Sequence, residues 1–232
     1  MKKIIALLFV LGLFSCDKDS KTTEQTIISG KVTGTKDGKI SITGNSFEKE
    51  IVLNQDGTFT DTLNLTYAGT YEIDVLNQYV YLEPNKSLNF VLDIETPANI
   101  TFKGDLIVEN EYLNKKNTML DEILGEDRFA IFGLDEADFL NKINEVTLKT
   151  NDLMNGTNFK DENFKQSEAK NIEYSKNYFI QWYPINHPFL ANKDGFEVSD
   201  TFPKVPVDFN FDNENDFNFS PSYRNLVRFN FD

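Results

Sequence analysis

Few side chains in this sequence can do chemistry, and they lie far apart. One cysteine (Cys16) and one histidine (His187) are the whole supply of thiol and imidazole in 232 residues. Nucleophilic catalysis needs a nucleophile beside a base. His187 lies in Ile185-Asn186-His187-Pro188, with no serine- or aspartate-bearing elbow motif to accompany it. It reads as a capping or packing residue. A structural or catalytic zinc site would draw on several His and Cys ligands, so no metal and no cofactor are expected.

Oxygen ligands are more plentiful. Asp208, Asn210, Asp212, Glu214 and Asp216 alternate as positions 1, 3, 5, 7 and 9 of a calcium loop would. However, Asn213 stands where the loop needs glycine, and Phe219 where it needs a bidentate glutamate. The interleaved Phe209, Phe211, Phe217 and Phe219 predict instead an extended segment, with rings inward and a solvated acidic edge. The pairs Glu126-Asp127 and Asp135-Glu136 supply the residue types of a glycosidase acid and base. That chemistry requires two carboxyl groups facing across a cleft, and adjacency along the chain does not provide it. They read as exposed acids at helix ends. Trp182 and Tyr183, beside Phe179, are expected to pack in a core and not to form a sugar platform. No catalytic residue is assigned.

Cys16 has a context of its own. Lys2-Lys3 precede the apolar run Ile4 to Phe14, and Ser15 stands before the cysteine, in the order of a secretory leader. Leu13-Phe14-Ser15-Cys16 resembles a bacterial lipobox, which implies diacylglycerol on the sulfur and acylation of the freed amine. The apolar run is far shorter than the roughly 20 residues a bilayer span needs. The chain is therefore expected to be anchored by lipid at Cys16, with residues 1–16 as leader and lipobox. Two or three acyl chains at one residue give stable anchoring. Asp17-Lys18-Asp19 points to the outer membrane over the inner one, on a face toward the periplasm or the cell surface.

Charge narrows the partners. Lys and Arg total 23 against 37 Asp and Glu, a formal charge of −14, and loss of Lys2 and Lys3 would make the chain more acidic still. Such a surface repels phosphate backbones and anionic headgroups, which excludes nucleic acid and leaves the lipid to hold the membrane. No cysteine follows Cys16, so no disulfide framework is expected and stability must come from packing.

Residues 17–25 are polar and read as a tether. Residues 26–104 then alternate in short β-branched and aromatic runs at Ile28–Val32, Lys39–Ile42, Glu50–Leu53, Thr58–Leu63, Thr70–Val75, Tyr79–Leu82, Leu88–Leu92 and Ile100–Phe102. Asp37-Gly38 and Asp56-Gly57 supply hairpin turns between them. Eight strands at this spacing predict an antiparallel β-sandwich. From residue 105 to 232 the period lengthens and an all-helical segment is expected. Its helices are predicted through Tyr112–Leu124, over Asp135–Met154, and from Asp161 to about Trp182, where Pro184 and Pro188 should close the third. Residues 192–219 look irregular. Ser220-Pro221 reads as the N-cap and first position of a last helix through Phe229. The fold class is α+β.

The chain resembles one known arrangement. The residues that carry the resemblance are the lipobox, Ile28-Ser29-Gly30-Lys31-Val32, Asp56-Gly57-Thr58-Phe59, Leu134-Asp135-Glu136-Ala137-Asp138-Phe139-Leu140, Phe164…Glu168…Ile172-Glu173-Tyr174, Tyr183…His187 and Val198-Ser199-Asp200. Together they are similar to the N-terminal region of lipid-anchored TlpA-family thiol:disulfide reductases. In that family a β-sandwich and a helical segment precede a thioredoxin domain bearing Cys-x-x-Cys. This sequence stops before such a domain, so the family's catalytic residues have no counterpart here. The resemblance implies a non-catalytic envelope lipoprotein, either a scaffold or partner-binding module or a truncated reductase. A glycan- or peptide-binding outer-membrane lipoprotein is the alternative, and a hydrolase using carboxylates alone is the third.

Overall fold

The computed structural model describes residues 25–76 and 78–231. Residues 1–24, which hold the expected leader, Cys16 and most of the expected tether, lie outside the described residues. Eight strands come first: β1 (Thr26–Thr33), β2 (Lys39–Gly44), β3 (Phe47–Val52), β4 (Thr58–Leu63), β5 (Gly69–Ile73), β6 (Gln78–Leu82), β7 (Ser87–Asp93) and β8 (Thr101–Gly104). They form two four-stranded sheets, ordered β4-β1-β7-β8 and β3-β2-β5-β6. The α+β sandwich is thus as the alternation predicts, with one exception to its antiparallel pairing. β1 and β7 run parallel, with Ile28 opposite Leu88 and Val32 opposite Leu92. Gly30 permits that pairing. A Cβ there would lie 1.9 Å from the Phe90 carbonyl oxygen.

Alternate positions fill the space between the sheets. Ile28, Val32, Leu88, Phe90 and Leu92 from one sheet, and Ile40, Ile42, Tyr71, Ile73, Val80 and Leu82 from the other, are all buried. β6 departs from strict alternation, because Tyr81, between Val80 and Leu82, is buried too. Its ring points away from the sandwich and meets Phe164 edge-on at 4.8 Å between centroids. The outer face of the β5–β6 half is thus roofed by helices.

Those helices are α1 (Ile107–Leu124), α2 (Glu136–Gly156), α3 (Glu162–Leu190), α4 (Glu214–Phe219) and α5 (Pro221–Phe231), with a 3₁₀ segment at Arg128–Gly133. Tyr112, Leu113, Met154, Phe159, Phe164, Ile172 and Phe219 join the sandwich residues in one continuous core. A second, smaller cluster gathers Ile131, Phe132, Phe139, Ile143, Ile180, Tyr183 and Phe202 at the far end of α2 and α3.

Two local expectations are corrected. α3 does not close at the prolines; it runs through Pro184 and Pro188 to Leu190. Each proline removes one N–H from the ladder, but Tyr183 and His187 on the same stretch are fully buried, and that packing holds the turn. The stretch before α5 is not an extended strip with all its acids outward. Residues 214–219 are helix α4, capped by the Asn213 side chain, and Asp216 is buried. The α5 start follows the sequence reading, with Ser220 Oγ accepting from the Tyr223 N–H at 3.0 Å and Pro221 at its first position.

Candidate functional site

A cleft opens where α1, α3 and the start of α5 pass the β5–β6 edge. Its outer part encloses about 360 Å³ beside Thr70, Gln78, Tyr79, Asn117, Asn171 and Ser222. An inner part of about 180 Å³ runs between α1, α2 and α3, walled by Leu120, Leu124, Ile143, Val146, Ile172 and Phe179. Lys116, Leu120, Arg128, Ser175 and Ser222 line both parts, so the two adjoin. Leu120 and Leu124 belong to the apolar stripe predicted for α1, but that end of the stripe faces the cleft and is only half-buried.

The floor is a buried polar network. Glu168 of α3 has no solvent exposure. It accepts hydrogen bonds from the Tyr112 hydroxyl at 2.7 Å, Lys116 Nζ at 2.6 Å and Asn171 Nδ2 at 2.9 Å. Asn171 Oδ1 in turn accepts from Ser220 Oγ at 2.6 Å, which ties the network to the cap of α5. A buried carboxylate is tolerable only when paired and hydrogen-bonded, and here three donors meet it. Burial, and then the neighbouring Glu168 charge, pushes the Tyr112 phenol far above its ordinary value, so it remains a donor.

Three cations stand at the rim, two of them already paired with acids. Arg128 donates from Nε and Nη2 to Asp121 Oδ1, and from Nη2 to Asn117, all at 3.0 Å or less. Lys176 lines the inner part beside it and has no ion pair or side-chain hydrogen bond among the described residues. The inner part is lined by Lys116, Arg128 and Lys176 and by no acid, in a chain where acids outnumber bases 37 to 23.

The backbone of β6 supplies the cleft's edge. β6 pairs only with β5 and is the last strand of its sheet. At Tyr81 its free side is occupied, because the Tyr81 N–H donates to Asn110 Oδ1 at 2.9 Å and the Tyr81 carbonyl accepts from Asn110 Nδ2 at 3.0 Å. Backbone groups in an antiparallel strand alternate sides with a period of two. The N–H and carbonyl of Tyr79 therefore point to the same open side as those of Tyr81. Tyr79 lines the outer cleft, and neither of its backbone groups has a partner on that side among the described residues. Arg224 lies over its ring at 5.7 Å.

The chain matches no protein-family model, no curated protein and no solved structure. What it can bind must be read from its own geometry.

The residues singled out in the sequence lie elsewhere. His187 is fully buried against Tyr183 and Phe196. Its Nδ1 is 2.9 Å from the Phe132 carbonyl oxygen, and Nε2 is buried without a partner among the described residues. Tyr183 is a core residue whose hydroxyl donates to the Leu134 carbonyl at 2.7 Å, and Trp182 packs on Phe229. Asp127 caps the 3₁₀ segment through the Phe129 N–H. Asp135 meets Lys193 at 2.6 Å, and Glu136 accepts from the N–H and hydroxyl of Ser199. Asp216, the last ligand position of the calcium-like run, is taken up by Tyr174 at 2.6 Å and Lys170 at 3.1 Å. No group of three or more His, Cys, Asp or Glu poised for a metal occurs among the described residues. Sequence reasoning missed Lys116, Arg128, Lys176 and the free edge at Tyr79, which fall on four separate elements.

Proposed function

We propose that this chain is a non-catalytic lipoprotein of a bacterial envelope, held to the membrane by lipid on Cys16. It works as a scaffold or partner-binding module, akin to the region that precedes the thioredoxin domain in TlpA-family disulfide reductases. The binding role rests on one observation, an outer cleft that adjoins an apolar inner chamber, with Lys116, Arg128 and Lys176 in the lining. Clefts of this size, mostly apolar with a few convergent polar groups, are where ligands are taken up. Anchoring rests on the lipobox-like Leu13-Phe14-Ser15-Cys16.

Dithiol exchange needs an attacking thiolate and a second cysteine to resolve the mixed disulfide. Cys16 is the only cysteine in the sequence, and lipid on its sulfur would leave no thiol to attack. The test is fractionation. Cys16→Ser should move the protein from the membrane to the soluble fraction and abolish labelling by a fatty-acid analogue, while the purified wild-type chain shows no insulin reduction. A variant that stays membrane-bound and labelled would place the anchor elsewhere, and reductase turnover would end the non-catalytic reading.

A further inference from the structure

We infer that the cleft takes the C-terminal end of a peptide, with the last residue apolar, the carboxylate at the cationic rim and the preceding backbone paired to the β6 edge. The inference rests on the binding role proposed above and names the ligand for it. Three independent observations converge on this occupant.

The inner chamber has the right size and chemistry for one apolar side chain. It encloses about 180 Å³, and a cavity of about 150 Å³ lined by Leu, Ile and Phe accepts benzene. A Phe or Leu side chain fits that scale, whereas a long acyl tail does not.

The rim has the right charge. Lys116 and Arg128 line both parts of the cleft and Lys176 lines the inner one, while Glu72 is the acid that lines the outer part. Lys116 is committed to Glu168, and Arg128 uses Nε and Nη2 on Asp121 and Asn117. That leaves the Arg128 Nη1 fork and the whole Lys176 ammonium for an incoming anion among the described residues. Carboxylate held by such donors gains charge-assisted hydrogen bonds.

The backbone edge selects a peptide over a simple apolar acid. Tyr79 lines the outer cleft, its N–H and carbonyl have no partner on their open side among the described residues, and an extended peptide can add to a sheet edge through such groups. The same edge is closed one pair further on by Asn110. Only a short stretch of backbone can therefore pair, which suits a chain end better than a long strand. Gln78 Oε1 and Asn117 Nδ2, whose residues bond elsewhere through Gln78 Nε2 and Asn117 Oδ1, can take up the remaining peptide groups along the outer cleft.

The test uses the purified full chain and isothermal titration calorimetry. The probes are acetyl-Ala-Ser-Ala-Phe as free acid, the same peptide as C-terminal amide, and acetyl-Ala-Ser-Ala-Asp as free acid. The Phe acid is expected to bind, the amide about ten-fold more weakly for loss of a charge-assisted bond, and the Asp peptide not at all. Lys176→Gln should weaken the acid several-fold and leave the amide unchanged. Val146→Trp should fill the inner chamber and abolish binding. If that variant does not fold, the half-buried Lys176 variant still decides. Hydrogen exchange at the Tyr79 amide should slow in the complex. Equal binding of acid and amide, or indifference to Lys176→Gln, would overturn the assignment, as would no binding by any probe at millimolar concentration. These outcomes are separate from anchoring. A chain that leaves the membrane on Cys16→Ser but ignores the peptides keeps the lipoprotein reading and loses only this ligand.

Discussion

The sandwich and the helical roof are stabilised in different ways, although they share one core. Of the eleven buried polar or charged residues among those described, only Thr26 and Thr70 lie in the sandwich, while nine lie in the helical half, Glu168, His187 and Asp216 among them. The space between the sheets is filled by aliphatic and aromatic side chains on alternating positions, as in the Phe59–Phe90 contact at 5.3 Å. The roof is instead located by polar pairs across long sequence separations. Lys116 meets Glu168, Asn110 meets Tyr81, and the Thr70 hydroxyl meets the Phe219 carbonyl at 2.7 Å. Apolar burial is strong but non-directional, so it can hold a helix on a sheet without choosing its register. A buried polar pair costs desolvation wherever it is not met, and that penalty selects one docking.

The largest expected effect tests whether the two halves melt as one. Phe90→Ala at the centre of the sandwich should cost about 3–5 kcal/mol by denaturant unfolding, through lost transfer and a cavity. Because one core spans both halves, far-UV and near-UV circular dichroism should report a single transition. Two separate melts would break the picture of a shared core.

Glu168→Ala should approach the same size, about 3–5 kcal/mol, since it strands Lys116 beside an unfilled buried site. The paired change Glu168→Leu with Lys116→Met should cost far less than the sum of the single changes, because the unpaired charge is never created. If the double variant is as unstable as Glu168→Ala, the network contributes stability outright and not only specificity.

Asn110→Ala should cost about 1–3 kcal/mol for the two hydrogen bonds it makes to Tyr81. It should also open a longer stretch of the β6 edge, and exposed edges recruit other chains. Concentration-dependent association by sedimentation is the readout.

The smallest effect is electrostatic. Burial, with Asp161 and Glu83 nearby, raises the Glu109 carboxyl above its ordinary value of 4.5. Burial and Asp161 raise Glu83 likewise. A raised folded-state value means the folded protein holds the proton more tightly. The resulting stability is fully present below about pH 4.5 and is lost as pH climbs through the raised value. At pH 7 both acids therefore carry a cost. Glu109→Gln should raise Tm at pH 7 by on the order of 2 °C, and the gain should fade below pH 4.5.

Much of the fold could be read from the sequence. Each of the eight expected runs overlaps one strand, and Ser220-Pro221 opens α5 where its chemistry says it should. These are local effects, in which a two-residue period, a turn glycine or a capping hydroxyl acts within a few positions. Sequence predicts too short a third helix because proline chemistry is local too, and the burial of Tyr183 and His187 that overrides it is not. The acidic run misled for the same reason. Alternating acids look like a solvated edge until Lys170 and Tyr174, more than forty residues away, take up Asp216.

Alternation and turn chemistry are properties of neighbouring residues, so the sequence by itself determined the sandwich and the helical half. The cleft was decided only by tertiary structure. Lys116, Arg128 and Lys176 come from α1, the 3₁₀ segment and α3, and Tyr79 from an edge strand. No spacing along the chain encodes their meeting. Packing of the helices on β5 and β6 brings them together, and the buried pairs that specify that packing are themselves contacts between distant residues.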